Sequence, residues 1–91
     1  MQIQRSLSEL ADSLDRERED LRIVEEQVRF QSDVLEEAKT RMLVAETPLA
    51  DRAYRIARDD LGRLERERDR IRSSIAELLV QQDRLLDRML G

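Results

Sequence analysis

The sequence predicts an all-α protein, a two-helix antiparallel coiled-coil hairpin that pairs into a dimeric four-helix bundle. Three observations lead there. Apolar residues recur at alternating steps of four and three along both halves of the chain. The two series fall out of phase near the midpoint, and the single proline of the chain sits at that break. Composition agrees, because 42% charged residues with only two Gly and no Trp suit long helices better than a compact core or a sheet.

The first series runs Ile3, Leu7, Leu10, Leu14, Glu17, Leu21, Val24, Val28, Gln31, Leu35, Ala38, Met42, Ala45, and eleven of its thirteen members are apolar. Such a spacing is the a/d seam of a coiled coil and predicts helix one over about 3–46. The second series runs Ala50, Tyr54, Ala57, Leu61, Leu64, Arg68, Ile71, Ile75, Leu78, Gln82, Leu85, Met89, with ten of twelve apolar, and predicts helix two over about 48–90. Between Ala45 and Ala50 the step is five, so one continuous helix would swing its stripe off the seam. The turn is therefore predicted near Glu46 to Leu49, with residues 1–91 forming a single helical hairpin.

The tip reads residue by residue as Glu46, Thr47, Pro48, Leu49 and Asp51. Thr47 is the expected N-cap, Pro48 the first helical residue, and Asp51 a favourable charge near the positive end of helix two. Glu46 is expected to leave the first helix, because residues before proline disfavour the α region. Ser6 with Glu9 reads as a capping box for helix one.

In an antiparallel pair, opposed residue numbers add to a constant. A constant of 99 places Gln31 opposite Arg68 and Glu17 opposite Gln82, so that every polar seam residue meets another. Shifting by one heptad, to 92, sets Arg68 against Val24 and Glu17 against Ile75, which costs about 1–3 kcal/mol for each polar group that is truly buried. Glu17, Gln31, Arg68 and Gln82 are accordingly expected to specify a register of 99. That register also predicts an ion pair between Arg41 and Asp60 beside the seam. Along the helices, Asp12 to Arg16, Glu25 to Arg29, Glu37 to Arg41, Asp51 to Arg55 and Asp59 to Arg63 have the spacing for supporting pairs.

One seam does not absorb all the apolar residues. Ile23, Phe30, Val34 and Val44 fall on the c/g side of helix one, while Leu79 and Leu86, with Ile56, Val80 and Leu90, fall outside the seam of helix two. Ile23, Phe30, Val34, Val44, Leu79 and Leu86 form the candidate partner or dimer face.

Catalysis has little to work with. The chain has no His and no Cys, which removes the usual proton shuttle, the commonest metal ligand and the thiolate chemistries. Its serines have no base partner, and adjacent acids such as Glu25 and Glu26 point about 100° apart on a helix. No catalytic, cofactor-binding or metal-binding residue is assigned, no cofactor is expected, and the chain is read as not an enzyme. A net charge of −4 opposes charge-driven binding to nucleic acid or to anionic membranes. Eight arginines crowd Arg52 to Arg72, but six acids, from Asp51 to Asp69, share the same stretch. Sixteen of the seventeen basic residues are Arg, a bias expected of a GC-rich bacterial genome rather than of a function. With no apolar run near 18 residues and a polar start, the chain is expected to be cytoplasmic, with no membrane insertion.

The functional expectation is a non-catalytic coiled-coil interaction or scaffold module that self-associates as a homodimer and docks a partner protein. Two architectural resemblances give other readings. The arms and the acidic tip, with Glu46 and Asp51 flanking the turn, resemble the amino-terminal coiled-coil hairpin of bacterial transcript-cleavage factors. That implies a transcription factor-like hairpin presenting its tip to RNA polymerase. The long antiparallel arms are also similar to the helical arm of seryl-tRNA synthetases, which implies an RNA-binding arm.

Overall fold

A computed structural model describes residues 2–91. Helix α1 spans Gln2–Ala45 and helix α2 spans Pro48–Leu90, and together they hold 97% of the described residues, with no strand among them. The two helices pack against each other as a hairpin. The packing resolves into two units: unit 1 combines the residues up to Arg22 with Asp69–Gly91, and unit 2 is Ile23–Arg68. Unit 2 carries the turn.

The periodicity found in the sequence becomes the packed seam. Leu14 and Ile71 are buried in unit 1, and Val24, Ala38 and Ala57 in unit 2, all on a/d positions. Every other seam residue is half-buried except Ala45 and Met89, which are exposed near helix ends. Small side chains at Ala38 and Ala57 let the helix axes approach closely, because seam side chains set interaxial distance.

Two residues, Glu46 and Thr47, connect the helices. Glu46 has φ 51°, in the left-handed region, and its N–H donates to the Met42 carbonyl at 3.2 Å. This arrangement is an αL cap, which satisfies a carbonyl of the last turn at the cost of a strained backbone for a residue other than Gly. Thr47 then opens α2 as its N-cap: the Ala50 N–H donates to Thr47 Oγ1 at 3.2 Å, and the Asp51 N–H donates to the Thr47 carbonyl at 3.1 Å. Pro48 occupies the first helical position, where its missing N–H removes no bond.

Three local expectations are corrected. Helix α1 already runs from Gln2, so Ser6 lies inside it and does not form a capping box with Glu9. Arg41 pairs with Glu37 at 3.4 Å and Asp60 with Arg63, so the pair between Arg41 and Asp60 does not form. Arg16 donates to Ser13 at 3.2 Å rather than reaching Asp12.

The register is the larger correction. Gln31 Nε2 donates to the Ala57 carbonyl at 3.1 Å, and these residue numbers add to 88. Under a constant of 99, Ala57 would lie about 16 Å along the axis from the level of Gln31, beyond any side chain's reach. Chain closure gives the physical reason. Ala45 and Pro48 are three Cα steps apart, about 11 Å at most, and the distance between packed axes takes 8–10 Å of that. A constant of 99 adds about 9 Å of axial offset between these two residues and would leave the connector almost fully stretched, whereas a register near 92 lets it turn. Unit 2 therefore adopts the register one heptad away, near 92. Its expected polar penalty does not arise, because Glu17, Gln31, Arg68 and Gln82 are all half-buried rather than buried. Among the described residues no buried side-chain nitrogen or oxygen lacks a partner.

Candidate functional site

The heptad positions decide which side of each unit is apolar. In unit 2 five c positions are apolar, Ile23, Phe30 and Val44 of α1 with Leu49 and Ile56 of α2, and two are charged, Glu37 and Arg63. In an antiparallel hairpin the c and g positions of both helices share one side, so these five residues line the same flank. They are exposed: Ile23 42%, Phe30 70%, Val44 80%, Leu49 77% and Ile56 51%. Val34, at g on the same flank, is half-buried.

Two shallow grooves mark this flank. Ile23, Glu26, Gln27 and Phe30 form one with Gln31 and Leu64, of about 400 Å³. Nearer the turn, Val44, Ala45, Leu49, Ala50 and Ala53 line a second of about 550 Å³, bordered by Arg41 and Thr47. The other flank of unit 2 carries Glu25, Ser32 and Lys39 from α1 with Asp51, Arg58 and Glu65 from α2, and none of these e residues is a large hydrophobe. Of the exposed large hydrophobes of unit 2, all but Leu43 thus sit on the c/g side, where Glu37, Arg41, Asp60, Arg63 and Glu67 lie among them.

Leu79 and Leu86 belong elsewhere. Both occupy e positions of α2 in unit 1, and they are less exposed, at 38% and 36%. The c/g flank of unit 1 is polar, lined by Ser6, Glu9, Ser13, Gln81, Arg84 and Arg88 around Leu10 and Leu85. The six residues expected to share one face are therefore divided: Ile23, Phe30, Val34 and Val44 occupy one flank of unit 2, while Leu79 and Leu86 occupy the e side of unit 1. Sequence reasoning placed Leu49 at the tip without joining it to Val44. The signal was available, since a two-residue turn sets c positions on either side of it next to one another.

At the tip Glu46 and Asp51 are exposed. Asp51 lies in the first turn of α2, where its charge complements the helix dipole, and Glu46 supplies the left-handed cap. Both acids therefore have local structural work, and the side chains beside them are the apolar Val44 and Leu49.

The charged surface is locally paired. Arg22 donates to both carboxylate oxygens of Glu19, at 3.0 and 2.6 Å, and this hydrogen bonding holds the Glu19 carboxyl below its ordinary range. Arg5 approaches Glu9 at 3.9 Å and Arg58 approaches Asp59 at 3.7 Å, while the Arg58 guanidinium lies 6.0 Å from the Tyr54 ring centre. In the crowded segment Arg58 and Arg63 are thus engaged with neighbouring acids, and Arg58 also with a ring. Among the described residues no group of three or more acids has the arrangement to hold a metal ion, and no helix is long and apolar enough to cross a membrane.

No protein-family model matches the chain, and neither a curated protein nor a solved structure matches it.

Proposed function

We propose that this chain is a non-catalytic coiled-coil interaction module that self-associates, acting as a scaffold on which a partner protein docks. The supporting observation is the exposed apolar flank of unit 2, centred on Phe30 and Val44. Its five large hydrophobes, between 42% and 80% exposed, leave apolar surface on the order of a few hundred Å² per copy. An ordinary monomer's largest apolar patch is about 300–600 Å², and patches of that size are often binding sites. On a chain of 91 residues this is a large share to leave in water. Several of the exposed charges are arranged as local helix pairs, such as Arg22 with Glu19 and Arg41 with Glu37.

The test is the concentration dependence of thermal unfolding. Association of folded copies raises Tm as protein concentration rises. A Tm that increases by several degrees between micromolar and millimolar chain supports self-association. A Tm that stays constant over that range contradicts it.

A further inference from the structure

We propose that two copies associate by exchanging arms: the turn opens, and α1 of each chain packs along α2 of the other in an antiparallel seam. This rests on the self-association reading above and assigns its surface, which is the seam itself. The interface is therefore one that the hairpin already displays, because α1 packs on α2 in both forms. The c/g flank of unit 2 stays open for the partner protein.

Two observations favour exchange. The first is a mismatch between the seam and the turn. Glu17 and Gln31 are 14 residues apart, and so are Arg68 and Gln82, so a single constant of 99 opposes both polar pairs and leaves every other opposed pair apolar. The closed hairpin sits elsewhere. Its register near 92 in unit 2 sets Gln31 against Leu61, and Arg68 against Val24, which is only 3% exposed. The two-residue connector holds that level, since it joins the two arms that face each other. After exchange the connector runs on along the axis instead, the two-fold axis can lie at any level, and the seam side chains alone choose the register. The matched constant of 99 then becomes accessible.

The second observation is the turn. In the closed hairpin Glu46 is held at φ 51°, which its side chain disfavours. Opening releases it, and Thr47, directly before Pro48, favours the extended backbone that a run-through connection needs. Short hinges under strain promote exchange of this kind, and each dimer relieves two of them.

Isotope-filtered NMR tests this on the unmodified chain: labelled and unlabelled chains are mixed in denaturant, refolded together at millimolar concentration and searched for contacts between copies. The expected contact joins the Gln31 side chain of one copy to Arg68 of the other. Glu46→Gly removes the strain of both closed turns and is expected to weaken dimerisation about 30-fold in sedimentation equilibrium, about fivefold for each turn. A chain that is monomeric throughout overturns the self-association reading, and the exchange with it. A dimer in which Gln31 still meets Ala57 of its own chain overturns the exchange while self-association stands. A contact between Gln31 and Ala57 of the other copy upholds the exchange and overturns the matched register. Dimerisation that Glu46→Gly leaves unchanged overturns the part assigned to the turn.

Discussion

Gln31 donates its amide to the carbonyl of Ala57, 26 residues away on the other helix, at 3.1 Å. This bond ties the seam of α1 to the backbone of α2 and reports the stagger of unit 2 directly. Replacing Gln31 with Ala removes the bond and part of the seam packing, at an expected cost of about 1 kcal/mol. For a domain of this size that is a fall in Tm of about 4–8 °C, measurable by circular dichroism. An unchanged Tm would mean that the bond contributes nothing to the hairpin.

How far the sequence could be read is clear from this residue. The seam itself was legible, because a 3.5-residue repeat of Leu, Val and Ile leaves one arrangement that buries them. The stagger was not, since pairing Gln31 with Arg68 assumed that polar seam residues are buried and must satisfy each other. In a two-helix seam they are only half-buried, and the two-residue connector sets the level of the helices instead. Thr47 and Pro48 were legible as a helix start because capping is local chemistry. Ser6 misled for the same reason: good helix-forming residues before it carry α1 back to Gln2. The surplus hydrophobes were visible as residues, but their division between two flanks follows from heptad position and packing together.

The turn offers a gain and a loss. Glu46 holds φ 51°, which a side chain disfavours and glycine does not. Glu46→Gly is expected to stabilise the hairpin by about 1 kcal/mol in chemical denaturation. Thr47→Ala removes the acceptor for the Ala50 N–H and is expected to destabilise by about 1 kcal/mol. Equal effects from both changes would show that the turn geometry is not as described.

Gly62 sits inside α2 without a left-handed backbone, and a Cβ there would meet only the mobile end of the Arg66 side chain, at 3.3 Å. Gly62→Ala should therefore stabilise by about 0.5–1 kcal/mol through helix propensity. A loss of stability would indicate that Arg66 cannot move aside.

Leu14 is 3% exposed, whereas Leu43 is 64% exposed. Leu14→Ala is expected to cost about 2–4 kcal/mol, combining lost transfer energy with a cavity. Leu43→Ala should lie within about 0.5 kcal/mol of the parent, as surface changes usually do. Equilibrium denaturation of the two variants compares them, and similar losses would contradict the assigned seam.

Self-association meets its most direct test in sedimentation equilibrium of the unmodified chain from micromolar to millimolar concentration. A reversible rise from the chain mass of 10.8 kDa to twice that value is expected. A mass fixed at 10.8 kDa throughout would contradict it.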